Sequence, residues 1–268
     1  MNERIAIETK GRLLLRIEDL DRTRCKPQFE AAIGVDLKWL GVQFAGVARR
    51  QSEHPGEYDA ALGRLAAQGL AYPCFCSRAE VAAMAVGLDP DGAPLYSGHC
   101  RSLRPAERAK RIERGDRMAW RLDATKAAER VGERLHWSEY REGREPVECP
   151  VEPALWGDVV LRGRDLAASY HLAVTVDDAL QGVTDVVRGR DLLAATSVHR
   201  LLQGLLGLPA PRYRHHRLVL DPTGSKLAKR RDSPSLAALR ETGAFPDQVR
   251  AALGFQSGDR GGISVRLS

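Results

Sequence analysis

An apolar run that changes abruptly into charged residues is the feature that most constrains the fold of this chain. Residues 13–22 read LLLRIEDLDR. A run of Leu and Ile without polar alternation predicts a strand buried on both faces, as in a parallel sheet covered by helices. In open α/β sheets, ligands bind at the carboxyl ends of the strands, so we expect a binding site here. The candidate residues are Arg16, Glu18, Asp19 and Asp21. The alternative is a strand that runs into a solvated loop.

Composition limits the classes of protein to consider. The 268 residues, of which 43% are hydrophobic, are enough for one large domain with an insertion or for two small domains. No apolar run approaches the roughly 20 residues that span a membrane, and residues 1–10 lack the apolar centre of a signal peptide. We therefore expect a cytoplasmic protein without a membrane partner. A pI near 9.2 suits a polyanionic partner such as nucleic acid but does not require one.

Three of the five cysteines are spaced like metal ligands. The odd number of cysteines in the chain argues against a disulfide framework. Cys74 and Cys76 are one residue apart, so both can point toward one metal ion. Cys100, with either Tyr96 or His99, can complete a set of four ligands. Tetrahedral zinc is the natural candidate for such a set. The alternative is three reduced thiols, partly buried.

A second block combines β-branched residues with acids and arginines. Residues 170–178 and 182–191 each read as a strand, and they contain Tyr170 and Arg188. A Tyr hydroxyl beside an Arg guanidinium makes a good carboxylate receptor, because Arg offers two parallel donors in fixed geometry. We expect both side chains to line the same crevice as Glu18. The alternative for Arg188 is a surface ion pair.

Helical periodicity and end signals predict most of the remaining elements. Helices are expected at residues 2–9, from Pro27 to Gly41, around Tyr58–Leu65, after Ser77, at 196–206, and near 236–239 and 249–253. In the second of these, the face expected to be buried comprises Phe29, Ile33, Leu37 and Leu40. Further strands are expected at 117–122, 159–163 and 213–220.

A lysine-rich segment follows a predicted β-turn at residues 221–224. Residues 225–231 read SKLAKRR. Lysines on a short loop after a strand can reach nucleotide phosphates and offset charge that grows in a transition state. The alternative is a solvated charged face.

Taken together, these motifs resemble the class I glutamyl-tRNA synthetases. RIEDLD at 16–21, VDD at 176–178, VVRGRDL at 186–192 and SKLAKR at 225–230 occur in the family's order, with Ala228 where a serine is usual. Cys74, Cys76, Tyr96 and Cys100 match the zinc site of a shorter branch, the glutamyl-Q tRNA(Asp) synthetases. The resemblance covers nearly all of residues 1–255.

The resemblance implies a fold and a domain organisation. It implies an α/β Rossmann nucleotide-binding fold of the class I aminoacyl-tRNA synthetase type, with an inserted zinc-binding subdomain. The expected divisions are the first part of the catalytic domain at 1–70, the inserted subdomain at 71–155, the second part of the catalytic domain at 156–255, and a tail at 256–268. Few residues follow Lys229, so we expect no helical anticodon-binding domain.

The resemblance also implies roles for individual residues. Glu18 would hold the α-ammonium group of L-glutamate, while Tyr170 and Arg188 would hold its side-chain carboxylate. Lys229, helped by Lys226, would stabilise the phosphates of ATP, which enters with Mg²⁺. Zinc would be structural, held by Cys74, Cys76, Tyr96 and Cys100.

The implied activity is the activation of glutamate with ATP in the absence of tRNA, followed by transfer to queuosine in the anticodon of tRNA(Asp). We expect a monomer. The family's first strand and its His-x-Gly-His signature precede the helix with which this chain begins, and no such signature occurs in the sequence. We expect that segment to be encoded upstream of Met1. The alternatives are a truncated, non-catalytic zinc-stabilised tRNA-binding module and a fragment of a conventional glutamyl-tRNA synthetase.

Overall fold

The computed structural model describes residues 1–132, 135–141, 143–220 and 235–255. Its helices are α1 (Asn2–Glu8), α2 (Pro27–Trp39), α3 (Pro55–Ala67), α4 (Arg78–Ala83), α5 (Pro105–Glu113), α6 (Ala124–Val131), α7 (Tyr170–Leu180), α8 (Ala195–Leu206), α9 (Leu236–Glu241) and α10 (Pro246–Ala252). Its strands are β1 (Arg16–Ile17), β2 (Arg49–Arg50), β3 (Ala71–Cys74), β4 (Ala119–Leu122), β5 (His136–Glu139), β6 (Val147–Pro150), β7 (Val160–Arg162), β8 (Asp185–Gly189) and β9 (Arg212–His216).

The chain divides into two compact units. One contains residues 1–51 and the described residues from 216 onward, and the other contains residues 52–215. The domain division predicted from the sequence stays a prediction. Within the described ranges, no helix combines the length and the apolar character needed to cross a bilayer.

In the first unit, the strand predicted at the leucine run is much shorter than expected. β1 pairs in parallel with β2, with Arg16 opposite Arg49. The three leucines before it are half-buried rather than enclosed on both faces. Ala45 donates a backbone hydrogen bond to the carbonyl of Leu13, and the ladder itself has two strands. A two-stranded ladder has too little area to cover both faces of a strand, so the prediction of a fully buried strand is wrong.

The helix predicted from Pro27 is confirmed as α2, but its predicted buried face is wrong. Phe29 is 48% exposed and Ile33 is 46% exposed, and no residue of α2 is fully buried. α2 contacts α9, and Arg240 of α9 forms an ion pair with Asp36 at 2.7 Å. The contact with α9 covers only part of α2. The apolar periodicity of the sequence therefore predicts the helix correctly, but it does not predict which side chains are buried.

In the second unit, the segment predicted as a strand at residues 170–178 is a helix, α7. The Ser169 side chain accepts a hydrogen bond from the backbone N–H of Leu172 and so caps its N-terminus. Residues 172–177 are all buried, because α7 packs against α3, α8 and β7. A segment buried on every side shows no useful periodicity, and β-branched residues then suggest a strand incorrectly.

Two sheets complete the second unit. The first has the order β3-β4-β7 with antiparallel pairing, and the second has the order β6-β5-β9-β8, in which β5 runs parallel to β9. The strands predicted at 117–122, 159–163 and 182–191 are confirmed as β4, β7 and β8, and β9 covers the first part of the strand predicted at 213–220. These sheets place Cys74 at the end of β3 and Arg188 within β8.

We predict that removing the hydroxyl of Tyr58 destabilises the second unit. Tyr58 and Asp177 are both 0% exposed, and the hydroxyl donates to the carboxylate at 3.0–3.1 Å. Tyr58→Phe leaves a buried carboxylate short of one donor, so it should lower the free energy of unfolding by about 1–3 kcal/mol. Urea denaturation followed by circular dichroism measures the change.

The matched control is Tyr140→Phe. The structure shows no hydrogen bond from the Tyr140 hydroxyl to another described residue, and Phe keeps the ring that Arg214 contacts at 5.3 Å. This variant should stay within about 0.5 kcal/mol of the unmodified protein. Equal effects of the two substitutions would show that the buried hydrogen bond contributes nothing.

Candidate functional site

Three cysteine thiols converge between β3 and the loop that follows α4. Cys74 is the last residue of β3, and Cys76 precedes Ser77, which caps α4 in a capping box with Glu80. Cys100 lies in a 3₁₀ turn at His99–Ser102. The three Sγ atoms lie within 4.8 Å of one another. The sequence prediction that these cysteines meet is therefore confirmed.

Gly98 in the left-handed region and a partly buried ion pair of Arg101 lie beside Cys100 in the chain. Gly98 has φ of +80°, and a Cβ atom there would lie 2.9 Å from Nη2 of Arg101. Arg101 in turn forms an ion pair at 2.9 Å with Asp158, which is 3% exposed and also accepts a hydrogen bond from the hydroxyl of Tyr72. Any other residue at position 98 would be strained and would also disturb this ion pair.

Tyr96 is the fourth member of the cluster. Its Oη lies 3.4 Å from Sγ of Cys74 and 3.5 Å from Sγ of Cys76, and the thiols of Cys76 and Cys100 are 3.4 Å apart. Zinc bonds of about 2.3 Å to sulfur and 2.0 Å to oxygen in a tetrahedron imply separations of about 3.8 Å between sulfurs and 3.5 Å between sulfur and oxygen. These four side chains therefore fit a tetrahedral zinc ion. His99, the other ligand considered, is exposed.

The thiols interact strongly with one another. A hydrogen bond from Cys74 lowers the pKa of Cys100 to about 6, and the same bond, with burial, raises the pKa of Cys74 to about 12. Burial and the neighbouring thiols raise the pKa of Tyr96. A second and a third negative charge are thus disfavoured in the pocket unless a cation enters it. Arg121 lies over the ring of Tyr96, 4.0 Å from its centroid, and adds positive charge beside the cluster.

The remaining cysteines do not take part in the cluster. Cys25 is exposed, and Cys149 lies on β6 with intermediate exposure. All five cysteines are free thiols in the structure.

A second candidate site is built around Arg188 of β8. Its Nε donates to Nε2 of His215 at 3.1 Å, and its Nη2 donates to Oγ1 of Thr196 at 2.7 Å. Its Nη1 lies 2.9 Å from Nδ1 of His199. Within the part of the chain that the structure describes, Arg188 has no ion pair with a carboxylate. The surface ion pair considered as an alternative is therefore not formed among these residues.

Tyr170 lies beside the same histidines. Its ring packs edge-on against His199 and against His171, with centroids 5.6 Å apart in both cases, and 38% of the residue is exposed. Arg188 and Tyr170 thus both contact His199, whereas the expectation that they line one crevice with Glu18 stays a prediction. Tyr170 takes this position from the first turn of α7, not from a strand.

The other predicted site residues include Glu18, Asp21, Lys226 and Lys229. Glu18 belongs to the first compact unit; it is exposed, with Oε1 3.8 Å from Nη2 of Arg16. Asp21 accepts hydrogen bonds from the backbone and the hydroxyl of Thr23, which stabilises a local turn. Lys226 and Lys229 lie outside the described residues, as does the β-turn predicted at 221–224.

Sequence reasoning missed the side chains around Arg188. His171, Thr196, His199 and His215 carried no predicted role. They come from α7, α8 and β9, and Nδ1 of His171 lies 3.1 Å from Nε2 of His199 although the two residues are 28 positions apart. The one local signal was the alternation of Tyr213 and His215 in β9, which places both rings on one face.

We predict that His171 makes stability depend on pH. Burial and the neighbouring Arg188 lower its pKa from 6.5 to about 4. The unfolded chain therefore gains a proton on this imidazole at a higher pH than the folded chain does. The neutral imidazole therefore contributes to the free energy of unfolding in full above about pH 6.5, and this contribution is lost as the pH falls to about 4. The loss amounts to about 3 kcal/mol.

The test compares unfolding free energies of the unmodified protein and of His171→Gln between pH 4 and pH 7. The variant should lose less stability on acidification over this window. His136→Gln, at an exposed position of β5, is the control and should retain the original slope. A slope unchanged by His171→Gln would contradict the prediction.

Comparison with known proteins places the chain among synthetases. It is 43% identical over 253 residues to the glutamyl-Q tRNA(Asp) synthetase of Rhodobacter capsulatus, which covers 91% of this chain and 88% of that protein. It is 40% identical over 259 residues to the glutamyl-Q tRNA(Asp) synthetase of Symbiobacterium thermophilum, covering 92% of this chain and 77% of that protein.

Solved structures of glutamate-tRNA synthetases share the fold of this chain. The glutamate-tRNA synthetase of Elizabethkingia anophelis aligns with a TM-score of 0.76 at 25% identity, over 98% of this chain and 59% of that structure. This chain thus spans less than two thirds of that synthetase. The class I synthetase fold predicted from the sequence is confirmed, while the inserted zinc-binding subdomain stays a prediction. The family model for tRNA synthetases class I (E and Q), catalytic domain, matches residues 1–256, and this chain belongs to that family.

Proposed function

We propose that this chain activates L-glutamate with ATP without requiring tRNA and transfers it to queuosine in the anticodon of tRNA(Asp). The observation that carries the proposal is the environment of Arg188, a half-buried cation that has no carboxylate among its described hydrogen-bond partners. Such a cation favours an anionic ligand. Relatives that are 40–43% identical and are named glutamyl-Q tRNA(Asp) synthetases support this reaction in particular.

In this proposal Arg188 binds the side-chain carboxylate of glutamate, and the Tyr170 hydroxyl donates a further hydrogen bond to it. An arginine favours glutamate over glutamine, because the amide of glutamine carries no charge and offers two donors that would face the guanidinium. Glu18 holds the α-ammonium group. Tyr170 contacts the same histidine as Arg188, which supports their joint role.

The chemistry of activation uses ATP with Mg²⁺. An oxygen of the glutamate α-carboxylate attacks the α-phosphorus of ATP, and pyrophosphate leaves. Lys229, assisted by Lys226, stabilises the negative charge that moves onto the departing phosphates. Both lysines are proposed from the sequence motif SKLAKR.

We also propose that Cys74, Cys76, Tyr96 and Cys100 hold a structural zinc ion. The spacing of the four ligand atoms supports this, as do the opposite pKa shifts of Cys74 and Cys100. The ion would join the end of β3 to the 3₁₀ turn at His99–Ser102 and replace weak thiol hydrogen bonds with metal bonds. Four protein ligands leave no open position, so the ion would have no catalytic part.

The test of the proposed activity is ATP/pyrophosphate exchange without tRNA. We predict exchange with L-glutamate and none with aspartate or glutamine. Arg188→Ala should lower kcat/KM for glutamate about a hundredfold, because it removes the charge partner of the substrate carboxylate. Arg190→Ala, at an exposed position two residues away, is the matched control and should retain activity.

Exchange that is absent, or that is equally fast with glutamine, would contradict the proposed activity. Binding of tRNA without any exchange would instead support the non-catalytic module considered from the sequence. Transfer is measured separately, by attachment of labelled glutamate to tRNA(Asp) that contains queuosine, with tRNA(Asp) lacking queuosine as the control.

For the zinc site, we predict about one zinc ion per chain in the purified protein. Cys100→Ser should lose zinc and lower the melting temperature, whereas Cys149→Ser, outside the cluster, should retain both. Affinity should rise with pH, because zinc must displace the proton of Cys74, whose pKa is raised to about 12. A chain that contains no zinc and takes up none on titration would rule out the site.

A further inference from the structure

Arg188 donates hydrogen bonds to acceptors from two different elements. Thr196 and His199 lie on α8, and His215 lies on β9. Each nitrogen of the guanidinium donates one hydrogen bond: Nη1 to His199, Nη2 to Thr196 and Nε to His215. Three contacts from two elements fix both the position and the plane of the guanidinium. We call Thr196, His199 and His215 the arginine clamp.

The direction of each hydrogen bond follows from the chemistry of arginine, which donates and never accepts. Nε2 of His215 must therefore carry a lone pair, and its proton must sit on Nδ1. That proton points at Oε2 of Glu139, 2.8 Å away. Nδ1 of His199 must likewise be an acceptor, which leaves its Nε2–H to donate to Nδ1 of His171 at 3.1 Å. All the acceptors of the clamp are thus neutral groups in defined tautomers.

His215 is itself held from three directions. The side chain of Glu139, a residue 3% exposed, binds both its Nδ1 and its backbone N–H, the latter at 3.1 Å. The ring of Trp137 packs edge-on against it with centroids 5.8 Å apart, and the ring of Tyr213 stacks parallel to it. The carboxylate of Glu139 therefore orients the imidazole, while the imidazole separates that negative charge from Arg188.

The hydrogen bonds of the clamp leave a definite part of Arg188 for a ligand. A guanidinium has five N–H groups, and three are used by the clamp. One N–H on Nη1 and one on Nη2 have no partner among the described residues. Two N–H groups on the two terminal nitrogens match the two oxygens of one carboxylate. Had the acceptors been carboxylates, they would have neutralised the charge that attracts such a ligand.

We propose that Thr196, His199 and His215 are positioning residues that orient Arg188 for the side-chain carboxylate of the amino-acid substrate. This inference rests on the proposed function and deepens it, since it assigns selectivity to residues that do not touch the substrate. Loss of one clamp acceptor should weaken carboxylate binding while leaving ATP binding unchanged.

The first test uses Thr196, which is 0% exposed. Thr196→Val keeps the shape of the side chain and removes the acceptor, whereas Thr196→Ser keeps the hydroxyl. In glutamate-dependent pyrophosphate exchange, Thr196→Val should raise KM for glutamate about tenfold with KM for ATP unchanged. Thr196→Ser should restore KM for glutamate to near its original value.

A second pair of variants tests the clamp from β9. His215→Gln retains one acceptor and one donor, whereas His215→Phe retains the ring and removes both. The expected order of KM for glutamate is unmodified protein, His215→Gln, then His215→Phe, with KM for ATP constant. If folded Thr196→Val and His215→Phe leave KM for glutamate unchanged, or raise both KM values together, the inference is wrong.

Nitrogen NMR of the full-length protein separates this inference from the proposed function. The clamp predicts the Nδ1–H tautomer of His215 and an Arg188 Nε–H signal that shifts when glutarate, a plain dicarboxylate, is added. A protein without exchange activity that shows both signatures would overturn the proposed function and support the clamp. The Nε2–H tautomer of His215, or an Arg188 signal that glutarate leaves unmoved, would overturn the clamp.

Discussion

The hydrogen bonds that Arg188 donates to neutral acceptors determine the chemistry of the second unit. A half-buried guanidinium needs its donors satisfied, and Thr196, His199 and His215 satisfy three of them without neutralising its charge. The carboxylate of Glu139 contacts the His215 ring and not Arg188 itself. The site thus combines a fixed geometry with an uncompensated positive charge, which suits the binding of an anion from solution.

In the cysteine cluster the charge that lacks a counter-charge is negative, whereas at Arg188 it is positive. The thiols of Cys74 and Cys100 lie so close together that ionisation of one opposes ionisation of the other, as their opposite pKa shifts show. A bound divalent cation, as proposed, would relieve this repulsion, and the positive charge of Arg121 over the Tyr96 ring would add to the effect. Both sites therefore hold a charge whose counter-charge is supplied by the proposed ligand.

Sequence reasoning succeeded where the signal is local and failed where it depends on topology. The helix that begins after Ser77, the helices α3 and α8, and the meeting of the cysteines follow from short spacings. Residues 170–178 were misread because burial on all sides removes the helical period. The exposure of Phe29 depends on what packs against α2. The arginine clamp depends on β9 lying beside β8, which no short spacing reveals.

Selectivity for glutamate over glutamine cannot come from shape, because a carboxylate and an amide have nearly the same volume. A pocket of fixed size discriminates weakly between such isosteres, whereas groups that pair with only one of them discriminate strongly. For the proposed substrate, an amide nitrogen would face donors of Arg188, and the clamp prevents the guanidinium from turning away. If Arg188 were mobile, it could relax toward solvent and accommodate the amide. Selectivity would therefore depend on the rigidity that Tyr213, Trp137 and Glu139 give to His215 as much as on the charge of Arg188.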